Sequence, residues 1–139
     1  MGDLRFDVGR KSYNLNGAIE VFFNPTDVDF AQKIYNTFDS LDKKQEYYKE
    51  EVKKIAGTAK IFDFARERDA EMRAMIDSVF DAPVCNAVFG SMNVYALADG
   101  LPIWCNLMLA VIDELDSGFA REQKMTNARV QKYTSKYHK

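Results

Sequence analysis

A chain of 139 residues is one domain's worth of length and can bury a sizeable core. Apolar residues at 47% and charged residues at 29% make a globular composition, and 7 Gly and 3 Pro exclude collagen-like and low-complexity chains. The formal charge of −2 is unevenly spread: residues 121–139 hold six basic side chains against one acidic, so an acidic body carries a basic end.

The first residues alternate. Leu4, Phe6 and Val8 fall on one side with Arg5, Asp7 and Gly9 between them, a period of two that predicts a half-buried strand. Gly9-Arg10-Lys11 is a candidate turn, Ser12–Leu15 a returning strand, Asn16-Gly17 a second turn, and Ile19–Phe23 a third short strand. The expectation is a small N-terminal β-hairpin or three-stranded meander, which must pack on something to be stable.

After Asn24-Pro25, Thr26 is read as the N-cap of a long helix, with Asp29 three residues on completing a capping box. The helix is expected to reach about Ala56, with Gly57 as its stop. Ile34, Phe38, Leu41, Gln45, Tyr48, Val52 and Ile55 recur at spacings of four and three, a seam with one polar position. Packing against the chain's own later helices is the favoured use of that seam, and self-association the other.

A second helix is expected over Lys60–Asp81. Ile61, Phe62, Ala65, Met72, Met75, Ile76, Val79 and Phe80 make its apolar stripe, and Arg66, Glu67, Arg68, Asp69, Glu71 and Arg73 its wet face. A short helix, Val84–Phe89, ends at Gly90. Residues 91–98 read as helix, with loop the alternative, and Asp99-Gly100 as the break. Pro102 suits the first turn of a last, central helix through Trp104, Leu107, Val111 and Leu115. Fraying is expected by about Thr126. The fold class is mainly α, a bundle of three main helices and a short one with the hairpin or meander. Residues 1–120 form one globular domain and 121–139 a basic, frayed tail.

The groups needed for catalysis are sparse. The one histidine, His138, stands in the tail, which excludes most His-dependent chemistry. No Gly-rich phosphate loop and no GxSxG elbow is present. Cys85 and Cys105 lie among apolar residues without CxxC spacing, as buried thiols of a reducing cytoplasm do. Glu67 and Glu71 sit one helical turn apart, but lack the Glu-x-x-His partners of a carboxylate metal site and read as a solvated ion-pair face. No metal, cofactor, leader peptide or membrane span is expected. Lys124, Arg129, Lys132, Lys136 and Lys139, interleaved with Tyr133 and Tyr137, could serve a non-specific nucleic-acid arm. The acidic body speaks against that, and it is held as the alternative function.

The order of elements carries a further signal. Phe22-Phe23-Asn24, then Asp29-Phe30, then Ile76-Asp77-Ser78-Val79-Phe80, then Cys85-Asn86-Ala87-Val88-Phe89-Gly90 form a pattern spanning about residues 4–120. It resembles the small tail assembly chaperones of siphophages and prophages of Gram-positive bacteria. Asp81-Ala82-Pro83 departs from the Gly-rich loop usual there. The resemblance implies a non-enzymatic protein of the bacterial host cytoplasm. It would coat the tape measure protein and recruit tail tube subunits during tail assembly, in some cases alongside a frameshifted longer form. Holding an apolar helical partner requires exposed apolar surface. Phe22, Tyr35, Tyr47 and Met92, each off its element's main stripe, are the candidate partner-binding residues.

Overall fold

The structure is a computed structural model that describes residues 1–137, without the side chains of 126–131 and 133–137. His138 and Lys139 lie outside the described residues. The chain is mainly helical. Strands β1 (Lys11–Leu15) and β2 (Ile19–Phe23) form an antiparallel hairpin, followed by helices α1 (Val28–Val52), α2 (Thr58–Phe80) and α3 (Val84–Phe89). A minimal second hairpin of β3 (Leu97–Ala98) and β4 (Leu101–Pro102) leads into the long α4 (Ile103–Tyr137).

The first hairpin pairs Tyr13 with Val21 and Leu15 with Ile19 across a turn in which Asn16 and Gly17 both take left-handed angles. Asp99 and Gly100 do the same in the two-residue turn of the second hairpin. Asn, Asp and Gly are the residues that tolerate such angles, and turns of this hand match the twist of the strands they join. Along β1 and β2 one face is apolar and turned to the helices. Val21 and Phe23 are buried, and the Tyr13, Phe23 and Phe30 rings stack in sequence at 4.3 and 4.4 Å between centroids.

The seam on α1 faces inward. Ile34, Leu41 and Tyr48 are buried, and Phe38 tilts against the Trp104 ring at 5.5 Å. The seam's polar position has a partner: the Trp104 indole N–H donates to Gln45 Oε1 at 2.7 Å. Helix α4 is the central element, burying Trp104, Leu107, Met108, Val111 and Leu115 against Met72 and Ile76 of α2 and the α1 seam in one cluster. At Gly118 the helix passes so close to the β2–α1 connection that an added Cβ would lie 2.6 Å from Pro25 Cβ.

Six expectations are corrected. Leu4–Val8 form no strand: residues 1–10 have no regular structure, and the hairpin has two strands rather than three. Alternation marks a segment able to pair, but no strand among the described residues pairs with it. The cap of α1 is Asp27, whose carboxylate accepts from Asp29 N–H, while Thr26 bonds Asn24 instead. Gly57 does not stop α1, which ends at Val52; it stands at the N-cap of α2. Residues 91–98 are not helical, because Asn93 closes a turn on Tyr95 N–H and the chain then enters β3, which also draws Pro102 into β4. Finally, Ile61 and Phe62 on the expected apolar stripe of α2 are exposed, while Phe64 packs on the core. Helix α4 continues past Thr126 to Tyr137.

Candidate partner-binding surface

Two residues of the expected wet face of α2 form a clamp, while Arg66 and Glu67 are exposed. Asp69 and Arg73, with side chains only 18% and 17% exposed, pair at 2.9 Å. Asp69 Oδ1 also accepts from Val94 N–H at 2.7 Å, and the Arg73 guanidinium donates to the Met92 carbonyl. Asn93 Nδ2 reaches the Ala65 carbonyl at 3.5 Å. One turn of charged residues thus supplies partners for a loop that has little backbone pairing of its own, and so fixes residues 92–95 on α2. The loop in turn seats β3, since Ile103 N–H donates to Ala96 O at 2.8 Å and Asn106 Nδ2 to Ala98 O at 2.9 Å.

The second hairpin is a ridge of apolar side chains. Leu97 is 72% exposed, and Leu101 is exposed beside it. A cleft lies on each side. One, of about 720 Å³, is lined by Tyr48, Val52, Phe64, Tyr95 and Pro102, with Gln45, Lys49, Arg68 and Asn93 as its polar members. The other, of about 640 Å³, is lined by Leu15, Val88, Phe89, Met92, Ile103 and Leu107. Leu97 borders both. The arrangement offers apolar side chains two concave seats astride a rigid edge, the geometry in which an amphipathic helix places its anchors.

The first cleft has an ionic floor. Arg68 lies over the Tyr48 and Phe64 rings at 4.9 and 5.3 Å and pairs with Glu71 at 3.1 Å. Lys44 donates to the same Glu71 at 2.6 Å. The Lys44 bond, with the Tyr48 hydroxyl, holds the Glu71 carboxyl below the usual carboxylate range. Burial, then Glu71, pushes the Tyr48 phenol up, and burial does the same to Tyr95. These groups hold their charges and protons at neutral pH, which makes the floor a structural element.

The four sequence-named residues are exposed but not gathered. Phe22 is on the outer face of β2 with Arg10 over its ring at 5.5 Å, Tyr35 and Tyr47 are on the outer side of α1, and Met92 borders the second cleft. Tyr47 touches Tyr48 edge-on. Of the basic set, Lys124 and Lys132 are exposed on α4; Arg129 and Lys136 are helical, with side chains outside the described part. Sequence reasoning missed the Leu97–Leu101 ridge, although Asp99-Gly100 between short apolar runs is a hairpin signal. It also missed the N-terminal segment as exposed surface: Leu4, Phe6 and Val8 are 92%, 82% and 65% exposed.

Both cysteines are buried thiols, and burial pushes Cys85 up to about 12 and raises Cys105, so neither is a thiolate near neutrality. Among the described residues no three His, Cys, Asp or Glu side chains gather as metal ligands would, and no helix is long and apolar enough to cross a membrane. Comparison of the chain with protein-family models, curated proteins and solved structures gives no match.

Proposed function

We propose that this chain acts by binding, as a phage or prophage tail assembly chaperone that holds apolar helical segments of the tape measure protein and recruits tail tube subunits. The observation that carries the proposal is the Leu97–Leu101 ridge between two apolar clefts. A long helical protein awaiting assembly exposes apolar stripes, and a ridge with paired grooves shields them while the clamp on α2 keeps the ridge in place.

The motif residues support the same reading in a different way. Phe23, Phe30 and Phe80 meet as one aromatic stack, with Phe30 and Phe80 edge-on at 6.3 Å, and Asp77 Oδ1 accepts from Cys85 N–H at 2.9 Å. The residues that carry the resemblance therefore join the hairpin, α1, α2 and α3, as a fold signature should.

The test is co-expression with the product of a neighbouring tape measure gene. The chain is expected to keep that product soluble and to co-purify with it, and Leu97→Asp to abolish both while leaving helicity unchanged. A gene lying outside any tail gene cluster, or a tape measure protein equally insoluble with and without the chain, would sink the proposal. Retention on DNA at low salt that disappears when residues 121–139 are deleted would instead favour the nucleic-acid reading.

A further inference from the structure

The N-terminal arm, residues 1–10, has no regular structure and carries apolar side chains that the fold leaves uncovered. Leu4, Phe6 and Val8 are all exposed, and they alternate with Arg5 and Asp7. The root of the arm is fixed to the β2–α1 connection. Gly9 has a φ of +73°, Asn24 Nδ2 holds the Val8 carbonyl at 2.8 Å, and a Cβ at position 9 would lie 2.6 Å from that same Asn24 nitrogen. Asp7 Oδ1 accepts from Gly9 N–H at 2.7 Å and completes the bend. Apolar surface continues at the root, where Val8 borders one cleft with Phe22 and Phe30 and another with Met125.

We propose that the arm pairs with the arm of a second copy of this chain, antiparallel, about a two-fold axis at Phe6. The segment Leu4-Arg5-Phe6-Asp7-Val8 is complementary to itself. In that register Phe6 opposes Phe6, Leu4 opposes Val8, and each Arg5 opposes the other copy's Asp7. One face of the ribbon is then wholly apolar and the other carries two ion pairs, as an isologous contact requires. A two-fold at Leu4 also sets Arg5 against Asp3, but it puts Phe6 opposite Gly2 and Asp7 opposite Met1 and leaves Val8 outside the ribbon, so it buries less apolar surface. A two-fold at Arg5 sets Arg5 against Arg5 and Asp3 against Asp7, a two-fold at Asp7 sets Asp7 against itself, and a parallel in-register pair stacks both like charges. Shifting by one residue puts the apolar side chains on opposite faces.

The bend at the root is compatible with this register. With Arg5 and Asp7 as the hydrogen-bonded pair, the Phe6 pair is of the closer, non-hydrogen-bonded kind, and the Val8 carbonyl stays with Asn24. A carboxylate has acceptor sites enough for both Gly9 N–H and the opposing guanidinium. Five paired residues alone fall short of the about 1,000 Å² that a specific interface should clear. The apolar face of the ribbon therefore closes over Phe22 and Met125 at the two roots, which lie next to Val8 in each copy. The pairing does not depend on the function proposed above.

The full chain in sedimentation over a concentration series tests it. A dimer in concentration-dependent exchange with monomer is expected. Phe6→Asp and Arg5→Asp should each give monomer with unchanged helicity, because the arm lies outside the core. Asp7→Arg alone should also be monomeric, whereas an equimolar mixture of Arg5→Asp and Asp7→Arg chains should associate, since each arm then carries one sign of charge. A native chain that is monomeric at every concentration overturns the proposal. So does a dimer that survives Phe6→Asp, or a mixture no more associated than its components.

Discussion

Replacing Asp69 by Ala removes the anchor of the loop on α2, and the structure sets the size of the effect. Val94 is fully buried, and its N–H donates to a carboxylate at 2.7 Å. A hydrogen bond to a charged acceptor contributes about 1.5–3 kcal/mol, and leaving the donor unpaired in a dry site places the loss at the upper part of that range. Arg73 loses its ion-pair partner but keeps the Met92 carbonyl, which adds roughly 0.5–1 kcal/mol. The sum is about 2–4 kcal/mol. With a urea slope of about 1–3 kcal/mol/M, a loss of 3 kcal/mol moves the midpoint by roughly 1–3 M. Trp104 is the chain's one tryptophan, is buried, and donates its backbone N–H to Val94 O at 3.3 Å, so its fluorescence reports directly on the affected region. Asp69→Asn keeps an acceptor for Val94 without the charge and should lie about halfway. Arg66→Ala, which breaks an exposed pair with Asp63 on the same helix, should cost no more than about 0.5 kcal/mol. If Asp69→Ala falls within that control's range, α2 presents a solvated ion-pair face and the clamp does not exist.

Further outcomes follow from single contacts. Gly118→Ala should destabilise by about 1–3 kcal/mol in thermal or urea unfolding, although Ala is the better helix former, because its Cβ would meet Pro25 at 2.6 Å. Gln45→Leu should cost about 1–3 kcal/mol by stripping the buried Trp104 N–H of its acceptor, with a shift in Trp emission. In the folded chain the Tyr13 phenol is raised to about 12 by burial and then by the Glu114 carboxylate it donates to at 3.0 Å. Between the ordinary tyrosine range and that value the folded state keeps a proton the unfolded state has lost, so this contribution to stability is full below pH 10 and fades as pH rises through 12. Tyrosinate absorbance should show late-titrating phenols, and Tyr13→Phe should remove one of them. Cys85 should resist thiol reagents at pH 8 until the chain unfolds, because it is buried and its thiol sits at about 12.

The elements that were legible in the sequence are those whose partners lie close along the chain or whose period repeats. Asn16-Gly17 and the alternation on each side specify the first hairpin to within one residue, Lys11 joining β1 rather than a turn, and the α1 seam specifies which face is buried. Gln45 reads as a flaw in that seam because its partner, Trp104, is 59 residues away. Asp69 and Arg73 share the composition of a solvated face; their targets are the Val94 N–H and the Met92 carbonyl, and a backbone group leaves no mark in a sequence. The arm inverts the error. Alternation there is as regular as in β2, but a strand needs a neighbour, and none is supplied within the described residues. Exposure of Phe22, Tyr35, Tyr47 and Met92 follows from their place off the stripes, whereas clefts arise between elements and follow from no stripe.

Stability and binding therefore fall on different residues. Phe23, Phe30, Phe80 and Asp77 are committed to one another and to the α3 N-terminus, so their replacement should unfold the chain before it alters any partner. Leu97 and Leu101 add little to the core and can change at small cost in stability. A partner that reads the ridge must then be sensitive to Leu97→Asp at unchanged urea midpoint. A partner lost only in step with the midpoint, across substitutions in both sets, would mean that the ridge is an ordinary surface hairpin and that binding resides elsewhere.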